Sequence, residues 1–249
     1  MRNYEEEFNN RVQWIKSLVA SSGVNGIVFG NSGGKDSALV GILCKAACEN
    51  TVGVIMPCTI TRNFDSDMED GLAVAKQFDI ETRTIVLSDV KESMVNALKD
   101  VTGDLNSAAS TNIAPRLRMT TLYAIAANEG RLVAGTGNRS ELYVGYFTKW
   151  GDGGHDFNPI SDLTATEIFE FLRYLKAPMS IIEKAPSAGL AEGQTDEGEM
   201  GVTYAELDSY INGGTVAPEK KERIDRLHKG SAHKRTGVAR YAELPEQKS

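Results

Sequence analysis

The sequence predicts an α/β protein built on a doubly wound parallel sheet flanked by helices, with a helical portion towards its C-terminal end. Two observations support this fold class. Over residues 4–137, short apolar runs of strand length alternate with segments of helical period, which is typical of successive βαβ units. The last hundred residues or so contain helical patterns instead.

The predicted elements follow one another in a regular order. Apolar residues at helical spacing predict helices at residues 4–19, 37–50, 64–78, 89–99 and 114–130. Short apolar runs predict strands at residues 26–30, 51–56, 82–87 and 131–137. Since each of these strands is separated from the next by a helix, we expect a parallel sheet with right-handed crossovers.

The C-terminal portion has a different pattern. A helix is expected at 164–175, because it opens with a Thr and a Glu at the spacing of a capping box. Residues 185–201 carry four glycines and four acidic residues, and we expect a mobile loop there. Two further short helices are expected at 204–211 and 219–228. Because no clean linker interrupts the chain, residues 1–249 are interpreted as one domain.

Composition excludes several classes of protein. The 249 residues carry a formal net charge of −7, whereas a protein that binds duplex nucleic acid needs a basic surface. No apolar run approaches the ~18 residues of a membrane span, and the first twenty residues do not resemble a signal peptide, so we expect no membrane association. The three cysteines, Cys44, Cys48 and Cys58, lack a metal-type spacing and are expected to be reduced, which indicates a cytoplasmic protein.

The most informative segment is a glycine-rich turn that follows the first predicted strand. It consists of Gly30, Asn31, Ser32, Gly33, Gly34, Lys35, Asp36 and Ser37. Glycines let backbone N–H groups approach an anion, and the helix that starts here adds positive potential, so this turn can hold a phosphate. It matches neither the common mononucleotide loop nor the dinucleotide fingerprint. The aspartate inside it is favourable if Mg²⁺ lies between its carboxylate and the phosphates.

Residues 32–37 resemble the S-G-G-x-D-S loop of the ATP pyrophosphatase superfamily, whose members split ATP between the α and β phosphates and adenylate a substrate. Three further segments, 112–119, 135–164 and 231–235, resemble motifs of the NAD synthetase family within that superfamily. The glutamine-using members carry an additional amidase domain. These 249 residues do not hold one, so the resemblance is to the ammonia-dependent form.

The resemblance implies both a fold and a reaction. The fold would be the adenine nucleotide alpha hydrolase-like form of the doubly wound sheet. The reaction would join nicotinate adenine dinucleotide (deamido-NAD) and ammonia, with ATP converted to AMP and pyrophosphate through an acyl-adenylate. The family is homodimeric, and the first helix and the helix that carries Arg116 are candidates for that contact.

The resemblance also implies roles for individual side chains. Mg²⁺ would be bound by Asp36 and Glu141, and ATP by residues 30–37 together with Thr136 and Ser187. The dinucleotide would contact Arg116, Lys149, Asp156, His233 and Lys234. The catalytic groups would be Lys35, Asp36 and Asp152, of which Asp152 would accept a proton from ammonium.

One position departs from the family pattern. Ala165 stands where relatives carry a lysine that contacts ATP, and Lys35 is a candidate to replace that charge from within the loop. Two other functions are open at this point. One is an adenylating enzyme that acts on another substrate such as tRNA, and the other is a nucleotide-binding sensor that has lost turnover.

Overall fold

The centre of the fold is a four-stranded parallel sheet. The structure is a computed structural model that describes residues 2–58, 64–183, 196–239 and 241, with the backbone alone for 64–67. Its strands are β1 Gly26–Gly30, β2 Thr51–Ile55, β3 Glu81–Thr84 and β4 Arg131–Ala134. Their order across the sheet is β3-β2-β1-β4. Val28 of β1 pairs with Val52 of β2 on one side and with Val133 of β4 on the other.

This strand order creates a switch point beside β1. From β1 the chain moves outward through β2 to β3, and it then returns to place β4 on the opposite side of β1. In open α/β sheets, ligands bind in the crevice beyond the carboxyl ends of the strands where the order reverses. The glycine-rich turn after β1 and Thr136 after β4 both lie at that edge.

The helices in the first part of the described chain alternate with the strands. They are α1 Tyr4–Ser22, α2 Lys35–Ala47, α3 Phe64–Gln77, α4 Ser88–Thr102, α5 Ser107–Thr111, α6 Ile113–Glu129 and α7 Arg139–Val144. The later helices are α8 Ala165–Tyr174, α9 Met179–Ile182, α10 Asp196–Met200, α11 Tyr204–Ile211, α12 Pro218–Gly230 and α13 Ala232–Arg235.

Helices cover both faces of the sheet. Ile27 and Phe29 point from β1 into a buried cluster shared with α1, α2 and α8. The alternate residue Val28 points to the other face, where it packs with Leu122 and Ala126 of α6. Because side chains alternate across a strand and β1 is buried on both sides, the central strand is apolar throughout. The predicted doubly wound parallel sheet is confirmed.

The C-terminal helices form a separate buried cluster against α7 and α8. Met200, Tyr204 and Leu207 pack there with Val144 and Ala165. This cluster places the start of α11 beside the start of α2, and it therefore brings C-terminal residues to the glycine-rich turn. No helix of the described residues is both long and apolar enough to span a membrane.

Several predicted boundaries were wrong. Helix α2 begins at Lys35, not at residue 37, because Gly34 is its N-cap. Strand β3 ends at Thr84, although the next residues still pair with the end of β2, with Ile85 N–H donating to the carbonyl of Ile55. The loop predicted at 185–201 contains α10 in its last part, and its residues 185–195 lie outside the described part of the chain.

Candidate active site

The glycine-rich turn is a tight loop closed by its own hydroxyl groups. Gly33 has a φ of +73°, a left-handed conformation that glycine adopts without strain. The Ser37 hydroxyl lies 3.1 Å from the Ser32 hydroxyl and donates to the Gly34 carbonyl at 3.0 Å. Helix α2 follows at once, so its first N–H groups face the same edge. The loop is therefore shaped to receive an anion at a helix N-terminus.

Asn31 fixes this loop to two neighbouring elements. Its backbone N–H donates to the Val54 carbonyl at 2.9 Å, and its side-chain amide donates to the Gly71 carbonyl of α3 at 3.1 Å. A Cβ at Gly71 would lie 2.9 Å from Asn31 Oδ1, so the approach of α3 to the loop requires glycine there. The loop is consequently held at a fixed position over the sheet edge.

Asp36 and Glu141, the two carboxylates assigned to a metal, are brought together by Asn138. The side-chain amide of Asn138 donates to Asp36 Oδ1 at 3.0 Å. The backbone N–H of Asn138 donates to Glu141 Oε2 at 3.1 Å, and Glu141 N–H returns a bond to the Asn138 side chain, which forms a capping box at the start of α7. Burial and the nearby negative charge of Asp36 raise the pKa of Glu141.

This carboxylate pair fits Mg²⁺ that also binds phosphate oxygens. Among the described residues, no three or more His, Cys, Asp or Glu side chains are grouped as a self-sufficient metal site. Mg²⁺ usually takes one or two protein carboxylates and completes its shell with water and substrate phosphates. Asp36 and Glu141 beside a phosphate-shaped loop match that donor set.

Lys35 is the charged residue of the loop that lies deepest in the protein. It is 7 % exposed, and its ammonium donates to Asp36 Oδ2 at 2.6 Å. It also lies 5.1 Å from the centre of the Tyr204 ring and 5.8 Å from that of Phe169. Burial alone would lower the pKa of Lys35, but the charges of Asp36 and Glu141 raise it. Lys35 is therefore a buried cation.

A polar clip holds the start of α7 against α8 and α11. Asp208 is buried and accepts hydrogen bonds from the Ser140 hydroxyl and, at 2.8 Å, from the backbone N–H of Thr166. The same Ser140 hydroxyl accepts from the backbone N–H of Ala165 at 3.0 Å. Since Ser140 directly precedes Glu141, this clip fixes one side of the carboxylate pair. The methyl group of Ala165 is fully buried.

Asp156 is fixed beside β4 by two hydrogen bonds. Its Oδ2 accepts from the backbone N–H of Val133 at 2.8 Å, and its Oδ1 accepts from the Tyr123 hydroxyl at 3.0 Å. Burial, with the hydrogen bond to Asp156, raises the pKa of Tyr123 to about 12, so this phenol remains a donor at neutral pH. The exposed part of Asp156 is thus held in one orientation.

His155 supports the loop that carries Thr136. A Cβ on Gly135 would lie 2.5 Å from the His155 ring, so the ring packs directly on the backbone that leads to Thr136. Burial lowers the pKa of His155, and its Nδ1 is buried without a hydrogen-bond partner among the described residues. The imidazole is therefore a neutral packing group under the end of β4.

Hydrogen bonds join the turn at residues 145–152 to the C-terminal helix α13. The Lys234 ammonium donates to the carbonyls of Gly145 and Phe147 at 2.8 and 2.6 Å. In return, the Lys149 ammonium donates to the His233 carbonyl at 2.6 Å. Burial lowers the pKa of Lys234. The predicted substrate residues of α13 and of this turn are therefore neighbours.

Asp152 closes the same turn. Its Oδ1 accepts from the backbone N–H of Thr148 at 2.9 Å. Desolvation by the surrounding protein raises the pKa of Asp152, although the residue keeps part of its surface in solvent. A carboxylate with a raised pKa and an open side is suited to accept a proton.

The two arginines of α6 have different environments. Arg116 is exposed, and its guanidinium reaches the Lys149 carbonyl at 3.4 Å. Arg118 is partly buried and donates to the Met56 carbonyl at 3.0 Å, which ties α6 to the end of β2. Arg116 is therefore the arginine that faces the turn at residues 145–152, as expected for residues that do not share a helix face.

The predicted residues fall into two groups by the roles expected of them from the sequence. We name residues 30–37, Thr136 and Glu141 the phosphate-side residues, and we name Arg116, Lys149, Asp152, Asp156, His233 and Lys234 the acceptor-side residues. Ser187 lies outside the described residues. Asn138 was not predicted from the sequence as a site residue. The signal was available, because Asn138 and Glu141 are three residues apart, which is the spacing of a capping box.

Comparison with known proteins gives consistent similarities along the chain. A family model described as NAD synthase matches residues 7–242. The NH(3)-dependent NAD(+) synthetase of Carboxydothermus hydrogenoformans is 46 % identical over 245 residues, which cover 98 % of each chain.

Solved structures resemble the fold as well. The NMN synthetase of Francisella tularensis has a TM-score of 0.90 at 37 % identity, covering 96 % of this chain and 99 % of that one. The NH3-dependent NAD synthetase of Campylobacter jejuni has a TM-score of 0.79 at 28 % identity, covering 99 % of this chain and all of that one. All of these similarities extend over nearly the whole of both partners.

Proposed function

The chain belongs to the NAD synthase family, and we propose that its phosphate-side and acceptor-side residues divide one amide-forming reaction between them. The chain is an ammonia-dependent ligase for the last amidation of NAD synthesis, which converts deamido-NAD, ammonia and ATP to NAD, AMP and pyrophosphate. The observation that supports the division is the Asn138 bridge, which sets Asp36 and Glu141 beside the phosphate loop.

The phosphate-side residues would position ATP for attack at its α-phosphorus. A carboxylate is a poor acyl donor, so its oxygen first attacks the α-phosphorus and pyrophosphate leaves. The loop N–H groups and Lys35 would hold the phosphates, and Thr136 and Ser187 would contribute further contacts. Mg²⁺, held by Asp36 and Glu141, would neutralise charge on the phosphates. Catalysis of this kind depends on orientation and charge stabilisation.

The acceptor-side residues would bind deamido-NAD and prepare the amine. Arg116 and Lys149 supply positive charge for its pyrophosphate, and Asp156 supplies a fixed carboxylate. His233 and Lys234 complete this side from α13. Asp152 would take a proton from ammonium, which leaves NH₃ to attack the acyl-adenylate. The amide forms as AMP departs.

An alternative candidate for the acceptor is nicotinate mononucleotide. It is the acid form of NMN, the compound named for the Francisella tularensis enzyme. The observation that favours it is the TM-score of 0.90 with that structure. The two acceptors present the same nicotinate carboxylate, and they differ in the adenylate half that the dinucleotide adds. Deamido-NAD remains the first choice because the curated relatives at 41–46 % identity are NAD(+) synthetases.

We further propose a homodimer in which α4 contributes to the interface, in addition to the helices α1 and α6 expected from the sequence. Val90, Met94 and Val101 are 49 %, 46 % and 85 % exposed, and their spacing places them on one helix face. No described residue of α4 is buried. A second copy of the chain would cover this face, so Met94→Glu should shift the mass measured by light scattering from dimer to monomer.

We also propose that the protein is cytoplasmic and that its residues 1–249 form one domain. Cys44 and Cys48 are free thiols, which supports a cytoplasmic location because such thiols persist in reducing compartments. The packing of the C-terminal helices on α7 and α8 supports one domain over residues 1–249.

Product analysis tests the proposed function. Purified protein is incubated with ATP and Mg²⁺, with ammonium or glutamine, and with deamido-NAD or nicotinate mononucleotide in parallel. We expect NAD and AMP in equal amounts from deamido-NAD with ammonium, and little amide with glutamine. A higher kcat/KM for nicotinate mononucleotide than for deamido-NAD would show that the mononucleotide is the preferred acceptor. AMP without either amide would require a different acceptor, and bound ATP without AMP would indicate a sensor.

A further inference from the structure

The Lys35 ammonium contacts the carboxylate of Asp36, which the proposed function takes as a metal ligand. The ammonium is 2.6 Å from Asp36 Oδ2, while Asp36 Oδ1 already accepts from Asn138. Both oxygens of Asp36 are therefore in contact with hydrogen-bond donors. Glu141 and Asp196 also lie close enough to Lys35 for their charges to act on it.

The position of this ammonium is set by packing as well as by charge. The Lys35 side chain is 6 % exposed, and the rings of Phe169 and Tyr204 lie within 5.8 Å of its nitrogen. A cation in the first turn of a helix is disfavoured by the positive end of the helix dipole. The carboxylates and the aromatic faces offset that cost, so the ammonium is held at this place.

A divalent ion on Asp36 would lie next to this ammonium. Mg²⁺ binds carboxylate oxygens at about 2.0–2.1 Å, so the two cations would be neighbours in a poorly hydrated environment, where like charges repel strongly. The repulsion is relieved if the ammonium moves from the carboxylate to a phosphate oxygen of the nucleotide. Lys35 belongs to the same loop that would hold the phosphates, so a phosphate bound there would lie on the same side of the sheet edge as its ammonium.

We propose that Lys35 is an exchangeable internal cation, which neutralises Asp36 and Glu141 in the enzyme without nucleotide and transfers to the phosphates when metal and ATP bind together. The consequence is ordered use of the site, because a divalent ion alone must compete with Lys35 whereas a divalent ion with ATP does not. Lys35 is thus a positioning residue for the metal. This inference rests on the proposed function, since it takes Asp36 as a metal ligand.

The experiment measures Mn²⁺ binding through the paramagnetic resonance signal of the free ion, first with Mn²⁺ alone and then with α,β-methylene-ATP, which cannot be split at the scissile bond. The variants are Lys35→Met and Lys35→Gln, the second of which keeps a hydrogen-bond donor in case the apolar variant does not fold. Lys45→Met on the same helix, which removes an ion pair with Glu49, is the matched control.

We expect both Lys35 variants to bind Mn²⁺ alone at least about tenfold more tightly than the wild type, because a repelling cation has been removed. With the ATP analogue, this advantage should disappear, and Lys45→Met should match the wild type throughout. Mn²⁺ alone should also raise the Tm of Lys35→Met more than that of the wild type, since a ligand stabilises the form that binds it.

The inference is overturned if neither Lys35 variant binds Mn²⁺ alone more tightly, or if their advantage is as large with the analogue as without it. Asp36→Asn separates this result from failure of the proposed function. If Asp36→Asn binds Mn²⁺ with the analogue as well as the wild type does, the metal assignment itself is wrong. If Asp36→Asn loses that binding while the Lys35 variants gain none, the role of Lys35 alone is wrong.

Discussion

The side-chain amide of Asn138 donates a 3.0 Å hydrogen bond to Asp36, a residue 102 positions earlier in the chain. This contact joins the loop after β1 to the loop after β4 across the switch point of the sheet. It also leaves Asn138 with two tasks, because the same side chain caps α7. The distance between the two carboxylates therefore depends on a single residue, which lies between β4 and α7.

Replacing Asn138 by Ser should separate these two tasks. Serine keeps an N-cap oxygen for Glu141 N–H, but it cannot reach Asp36 with an amide. We expect kcat/KM for ATP to fall by about tenfold or more, equivalent to ~1.4 kcal/mol of lost transition-state stabilisation. The measurement is steady-state AMP formation at varied ATP.

The matched control for this prediction is Asn106→Ser. Asn106 caps α5 through the N–H of Ala109 at 2.9 Å, and it belongs to neither group of site residues. Its replacement should leave kcat/KM unchanged. Equal losses in the two variants would show that helix capping, and not the contact with Asp36, explains the effect.

Gly135 and His155 should show strong coupling in a double-mutant cycle. Gly135→Ala places a methyl group 2.5 Å from the imidazole, and such overpacking typically costs about 1–3 kcal/mol. His155→Ala removes the obstacle, so the double variant should be more stable than the sum of the single effects by about 1 kcal/mol or more. Urea unfolding of the four proteins measures this coupling, and simple additivity would contradict the contact.

The hydrogen bonds that Lys234 donates should hold the turn at residues 145–152 in place. Lys234→Met leaves the carbonyls of Gly145 and Phe147 without their charged donor, and a hydrogen bond to a charged group contributes about 1.5–3 kcal/mol. We expect a lower Tm and a higher KM for deamido-NAD, with KM for ATP changed less. The exposed Lys229→Met is the control, and equal KM changes for both substrates would argue against a local role.

Acid stability should reveal the ion pair between α1 and the turn before α8. Arg11 binds both carboxylate oxygens of Asp162 at 2.7 Å. Burial alone would raise the pKa of Asp162, but the hydrogen bonds from Arg11 lower it overall. A lowered folded-state pKa gives stability that is present above the unfolded value and lost as pH falls through the folded value.

The Asp162→Asn variant should therefore be less stable than the wild type at pH 7, by about 1 kcal/mol, because the Asp162 side chain is half exposed to solvent. That difference should shrink as pH falls below the ordinary aspartate pKa of about 3.9. Thermal unfolding between pH 7 and pH 3 measures the trend. Asp104→Asn, which removes a largely exposed pair with Lys99, should show no such difference, and a gap for Asp162→Asn that widens in acid would contradict the account.

Local pattern was enough to predict the sheet and the position of the glycine-rich turn at residues 30–37. The apolar runs identify β1 and β2 because both are buried, and the turn at 30–37 follows a strand directly. The capping-box spacing of Asn138 and Glu141 was also available in the sequence. These features depend on neighbours a few residues apart.

Contacts between distant segments could not be predicted in this way. The loop motif does not reveal that Lys35 faces Tyr204, because that contact requires α11 to fold back on α2. The motif at 233–235 likewise does not show that Lys234 binds backbone carbonyls. Short helices such as α5 and α7 were missed because five or six residues carry too little periodicity.

Isotope transfer is the most direct test of the central claim. The claim is that the substrate carboxylate attacks the α-phosphorus of ATP, and that ammonia then displaces AMP from the acyl-adenylate. Deamido-NAD labelled with ¹⁸O in its nicotinate carboxylate is converted with ATP, Mg²⁺ and ammonium, and the AMP is analysed by mass spectrometry. The account predicts one ¹⁸O in each AMP, because the attacking oxygen leaves with the phosphate. Unlabelled AMP formed together with NAD would contradict it.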